Sequence, residues 1–165
     1  MQALVISDTH GRCENLERLL KKYEKLDMIF HLGDVEGDED YIASLARNTV
    51  HAPVIFVRGN MDFCCDSPSR TTVAWGGHLI YMTHGHLQGV HSGYEVLLAE
   101  AKENQADVVL FGHTHLPHLS YEDGILLMNP GSLSKPRQAG WKPAFALLEV
   151  LKNGEIYPTL ATMRF

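Results

Sequence analysis

Apolar and polar positions along this chain fall into short blocks that end alike. Residues 2–7 are an apolar, β-rich run that stops at Asp8, which predicts a buried strand. Residues 13–26 set Leu16, Leu19, Leu20 and Tyr23 at helical spacing with charges between them, which predicts an amphipathic helix. Residues 27–34 predict a second buried strand ending in Gly33-Asp34. Residues 38–48 predict a helix with acidic residues in its first turn, and 52–60 a third strand ending in Gly59-Asn60. This β-α-β-α-β order predicts parallel strands joined by crossover helices.

The second half reads differently. Residues 71–85 predict two strands around Gly76-Gly77, 92–104 a helix, and 106–113 a further strand. Residues 118–131 and 143–161 each predict a hairpin, turning at Asp123-Gly124 and Asn153-Gly154. The sum is an α/β chain with much antiparallel sheet, two β layers inside and helices outside. No repeat, low-complexity segment or linker interrupts it. A length of 165 residues then predicts one domain spanning 1–165.

Composition narrows the partners. Lys+Arg 14 against Asp+Glu 20 gives a formal charge of −6, which argues against non-specific binding to nucleic acid. Three cysteines, Cys13, Cys64 and Cys65, form no secreted framework, so free thiols in a reducing cytoplasm are expected over a Cys64–Cys65 disulfide. The start "MQALVISD" lacks a basic region and a long apolar run, so no signal peptide is read, and no membrane span is expected.

The candidate chemistry lies at the strand ends. The apolar runs deliver Asp8 and His10, Asp34, Asn60, His84, and His113 with His115. The C-terminal edge of the strands is where α/β sheets bind ligands. Two carboxylates, one amide oxygen and four imidazoles suit Zn, Mn, Fe, Co or Ni better than Ca. Seven ligands exceed one tetrahedral site and match two metals sharing a carboxylate. His113 and His115, two positions apart, are expected to alternate across the backbone and serve one metal each. Singly, each residue has a plainer reading: Asp8 or Asp34 as a helix cap, Asn60 as a turn residue, His84 as a core histidine. Five strand ends must then be explained independently.

The ordered pattern D-x-H, G-D, G-N-x-D, H-G-H, G-H-T-H resembles the calcineurin-like metallophosphoesterases. It is carried here by Asp8 and His10, Gly33-Asp34, Gly59-Asn60-Met61-Asp62, His84-Gly85-His86 and Gly112-His113-Thr114-His115. The "NPGS" at 129–132 and the small size resemble the YfcE-type phosphodiesterase subgroup. The resemblance implies an α/β/β/α sandwich of two mixed sheets flanked by helices. It implies Asp8, His10 and His115 on one metal, Asn60, His84 and His113 on the other, and Asp34 bridging. Two divalent transition-metal ions are implied, manganese first, with nickel, zinc or iron as alternatives. The activity implied is hydrolysis of small phosphodiesters by in-line attack of a hydroxide held at that centre, with Asp34, Asn60, Asp62 and His86 as catalytic groups.

One position departs from the wider family. Met61 stands where many members carry a histidine near the leaving group, and a thioether donates no proton. Asp62 is expected to support the metal ligands from outside. His86, Asn129, Ser132 and Arg137 are candidates to border the pocket, and His118 is left unassigned. The alternatives are a non-catalytic scaffold, since a retromer-coat subunit shares this fold, a nuclease, which the missing basic patch disfavours, and a monoesterase, which Met61 disfavours. A homodimer or tetramer is implied by the subgroup.

Overall fold

In the computed structural model, which describes residues 1–163, the first strand β1 (Gln2–Ile6) is buried on both faces. Leu4 and Ile6 enter one apolar cluster and Ala3 and Val5 another, as the two-residue period of a strand requires. Those two faces set the layering. After β1 come α1 (Glu14–Leu20), β2 (Met28–His31), α2 (Glu39–Thr49) and β3 (Val54–Phe56). Next are β4 (Arg70–Trp75), β5 (His78–Thr83), α3 (Glu95–Glu103) and β6 (Val108–Leu110). The chain finishes with β7 (Pro117–Glu122), β8 (Ile125–Pro130), β9 (Ala144–Val150) and β10 (Ile156–Thr162).

The strands form two mixed sheets, ordered β10-β9-β1-β2-β3 and β4-β5-β6-β8-β7. In the first, β1, β2 and β3 are parallel, and the last hairpin joins antiparallel through β9. In the second, β6 lies between two parallel neighbours, β5 and β8. Leu16, Leu19, Leu20, Ile42 and Ala46 cover the outer face of the first sheet. Leu97 and Ala101 cover the second, against Tyr81, Val109 and Leu127. Between the sheets pack Phe30, Trp75, Met82, Leu110, Met128 and Leu148. The layers therefore run α/β/β/α.

Several elements are shorter than their sequence pattern. Residues 13–26 keep their apolar spacing, and Tyr23 and Leu26 reach the same core, yet the helix stops at Leu20. The Lys22 and Tyr23 N–H groups close tight turns on Leu19 and Leu20, and the Leu26 and Asp27 N–H groups pair with Val50 and Gln2 carbonyls. These bonds draw the chain out of the helix and into β2. The run 52–60 keeps only Val54–Phe56 as strand, because the Arg58 N–H bonds Pro68 and the Gly59 N–H bonds the Asp62 carboxylate. The segment 106–113 likewise leaves the sheet after Leu110. No helix among the described residues is long and apolar enough to cross a membrane.

A candidate metal centre at the strand ends

Beyond β1 the chain folds back on the loop after β2. The Asp8 N–H donates to Gly33 (3.0 Å) and the His10 N–H to Asp34 (2.9 Å). The glycines of the sequence pattern allow close approach. A Cβ on Gly59 would stand 2.1 Å from Asp34 Oδ1, and one on Gly112 2.1 Å from Ser7 Oγ. Asp8, His10, Asp34, His113 and His115 all have left-handed backbone, with φ between 49° and 69°. Non-glycine residues rarely adopt it outside tightly determined sites.

Seven predicted side chains meet there. Ligand atoms of Asp8, His10, Asp34 and His115 all lie within 4.8 Å of one another. His10 Nε2 is 3.3 Å from His115 Nε2 and 3.8 Å from Asp34 Oδ2, and His115 Nε2 is 3.1 Å from Asp8 Oδ1. On the other side His84 Nε2 is 3.2 Å from Asn60 Oδ1 and 3.5 Å from the same Asp34 Oδ2. The His113 ring stands 5.1 Å from that of His84. Asp34 thus faces both halves.

The expected cause of the His113/His115 divergence is corrected. Both lie past the end of β6 in left-handed conformation, so strand alternation does not separate them. Two anchors do: the His113 N–H donates to Asp8 Oδ2 (3.2 Å), and His115 Nδ1 bonds the Lys135 carbonyl (2.6 Å).

The hydrogen-bond pattern tests whether a cation fits. His84 and His115 each donate Nδ1–H to a carbonyl, Leu32 at 2.6 Å and Lys135 at 2.6 Å. A carbonyl only accepts, so each Nδ1 carries a proton and each Nε2 is the atom turned inward. His10 does the same through Glu36 Oε1 at 2.6 Å. Asp8 Oδ1 is buried with no hydrogen-bond partner, yet three imidazole Nε2 atoms lie within 4.0 Å of it. Converging imidazole nitrogens and an orphaned carboxylate oxygen fit a cation among them.

Burial and charge act in opposite directions at this site. Burial alone would raise Asp34, but the hydrogen bond and charge of His84, with the Met61 N–H, bring it down to about 2. Burial would lower His84, but Asp34 and Asp8 outweigh it and raise its pKa. Burial, then His84 and His91, hold His113 down at about 4, so it is neutral at pH 7. A neutral imidazole is the ligand form.

The remaining candidates take other places. Asp62, expected among the catalytic groups, is a buried clamp. Oδ2 accepts from Asp34 and Gly59 N–H and Oδ1 from Val35 and Glu36 N–H, at 2.7–2.8 Å. It ties the loop after β2 to the loop after β3. Asn129 and Ser132 are buried props: Asn129 donates to the Gly112 carbonyl (2.8 Å) and Ser132 to the Asp8 carbonyl (2.9 Å). His118 turns away, its ring tilted against Tyr94 with centroids 4.6 Å apart. His86 rests against His84 and His113, its Nδ1 without a partner.

Above the ligands opens a cleft of about 210 Å³, lined by His10, Asp34, Asn60, Met61, His113, His115, Lys135 and Arg137. Lys135 and Glu36 were not singled out from sequence. Neither belongs to an apolar period, and only the close turn structure brings them in.

A family model for the calcineurin-like phosphoesterase superfamily domain matches residues 1–153. The chain belongs to that superfamily. Among curated relatives, the probable metallophosphoesterase YsnB of Bacillus subtilis is 36% identical over 83% of this chain and 78% of its own length. The phosphodiesterase YfcE of Escherichia coli is 32% identical over 87% of this chain and 84% of its own. Vps29 of Entamoeba histolytica, solved with zinc, superposes with a TM-score of 0.75 at 23% identity, covering 98% of this chain and 99% of that one, a likeness of fold. The matched span, residues 1–153, contains all seven strand-end side chains.

Proposed function

We propose that this phosphoesterase is a metal-dependent phosphodiesterase acting on small diesters at a two-metal centre. The observation that carries the reading is the pair of inward-facing ligand clusters on either side of Asp34 Oδ2. Asp8, His10 and His115 would hold one ion, Asn60, His84 and His113 the other, with Asp34 between them. When bound, divalent ions of this kind offset phosphate charge and bring the pKa of water from about 15.7 toward about 7. Manganese leads, with nickel, zinc or iron as alternatives.

The chain's own groups do the rest. Leu32, Lys135 and Glu36 hold the Nδ1 protons that aim the three imidazoles. Asp62 holds Asp34 and Asn60 at their separation, a positioning role. Lys135 and Arg137 set positive charge at the mouth of an otherwise acidic protein, where a diester anion enters. His86 packs on the His84 and His113 rings and so helps hold them in place. Met61 lines the cleft and supplies no proton, so esters with acidic leaving groups are favoured.

The test is hydrolysis of bis(p-nitrophenyl) phosphate by metal-free protein with Mn²⁺, Ni²⁺ or Zn²⁺ restored, beside p-nitrophenyl phosphate and Asn60→Ala. Metal-dependent diester turnover, weak monoester turnover and loss in the variant are expected. Two bound ions without turnover of either ester would transfer the protein to the scaffold reading.

A further inference from the structure

Beside the metal cleft lies a second hollow of about 390 Å³, lined by His115, Ser134, Lys135, Pro136, Arg137 and Trp141. It shares His115, Lys135 and Arg137 with the cleft, so the two adjoin across those side chains. Its outer wall is the indole of Trp141, 72% exposed. Trp141 has φ 51°, left-handed backbone, and its N–H closes a turn on the Gln138 carbonyl (3.1 Å). A bulky residue in that conformation, showing its ring to water, lowers stability without a folding role.

The loop carrying it is fixed to the metal centre. His115 Nδ1 donates to the Lys135 carbonyl at 2.6 Å, and the Arg137 N–H returns to the His115 carbonyl at 3.2 Å. Ser132 Oγ accepts the Lys135 N–H at 2.8 Å, and Ser134 Oγ donates to Thr9 at 2.7 Å. Lys135 and Arg137 carry no ion pair among the described residues, unlike Arg70 and Lys102. One flat apolar wall and two cations without ion pairs among the described residues therefore line the hollow beside His115.

We infer that this hollow is the subsite for one arm of the diester, and that the arm is nucleotide-like: a planar heteroaromatic ring lying on Trp141, with an anionic group met by Lys135 and Arg137. The inference rests on the phosphodiesterase reading and names its substrate class. Indole faces stack any base ring, and guanidinium adds a cation over the ring or a fork for phosphate oxygens. A simple alkyl diester meets the cations but leaves the indole wall unfilled.

Binding can be read without turnover. The chain has two tryptophans, and Trp75 is 5% exposed and packed on Phe30, so ligand quenching of indole fluorescence reports Trp141. Metal-free protein is titrated with thymidine 5′-monophosphate, thymidine and inorganic phosphate. The monophosphate should quench saturably, with affinity at least about tenfold above either part alone. Trp141→Phe should erase the signal, and Lys135→Ala with Arg137→Ala should weaken binding about tenfold. No quenching, equal quenching by phosphate alone, or a signal that changes only with protein concentration would overturn the subsite. Kinetics then compare p-nitrophenyl esters of thymidine 5′-phosphate and of methyl phosphate with metal restored. A preference of about tenfold or more for the thymidine ester, lost in Trp141→Ala, is expected. An unchanged preference in the variant would overturn the assignment. Quenching without turnover of any diester would instead overturn the proposed reaction and leave the binding site standing.

Discussion

At one end of the two sheets the chain turns through Gly76-Gly77, Asp123-Gly124 and Asn153-Gly154. At the other it turns through Asp8, His10, Asp34, His113 and His115. Left-handed backbone serves both ends. Glycine adopts it freely, and a Cβ added at Gly77, Gly124 or Gly154 would meet nothing. At the opposite end it costs about 1–2 kcal/mol per residue. The strain is concentrated where side chains must converge from five separate segments. The first end is turn chemistry, and the second aims polar groups into a buried space.

The histidines differ by their partners, and His84 at the converging end is raised by Asp34 and Asp8. His31 and His113, at the converging end, are held near 4, chiefly by burial. His78, at the turning end, is raised: burial opposes the shift, but Asp107 at Nδ1 and the Gly154 carbonyl at Nε2 outweigh it. Both its partners accept, so both ring nitrogens donate and the imidazolium is favoured.

The comparison can be broken in stages. The largest effect is expected for Asp34→Ala, with metal-dependent diesterase activity down about a hundred- to a thousandfold and far-UV dichroism unchanged. Steady-state kinetics with saturating Mn²⁺ would check it, and wild-type rates would remove Asp34 from the centre. Next comes Asp62→Ala, which leaves three buried N–H groups and a part-buried one without their carboxylate. Denaturant titration should show a loss of about 3 kcal/mol or more, with activity falling in step. Gly124→Ala, at φ 80°, should cost about 1 kcal/mol and leave activity unchanged.

The smallest effects are in pH dependence, and their signs oppose. His31 binds its proton less readily folded than unfolded, so it withdraws stability as pH falls from about 6.5 toward about 4. His31→Gln should flatten the fall in denaturation midpoint over that window. His78 binds its proton more readily when folded. Its contribution is full below its ordinary 6.5 and is lost as pH rises through the raised value. His78→Gln should therefore remove a decline above pH 6.5, not below it.

Much of this was legible in the sequence. The continuous apolar runs located the buried strands, and Asp123-Gly124 and Asn153-Gly154 located two hairpins. The polar ends of the apolar runs identified the residues that the structure gathers into one cluster. Other features depend on contacts between distant segments. The placement of β9 beside β1, and of β8 between β6 and β7, follows from sheet packing that no local pattern encodes. Helix α1 ends early because of carbonyls on Gln2 and Val50. The left-handed turns of His113 and His115 replace an expected alternation. Glu36, Lys135 and Trp141 reach the site from loops without period, so their relation to His10 and His115 appears only in three dimensions.

The central claim is that the converging end is built around metal. Metal-free protein dialysed against Mn²⁺ and assayed for bound metal tests it most directly. The account predicts two ions per chain in the wild type and a marked loss in Asp34→Ala. Wild-type protein that retains no more metal than the variant would contradict it.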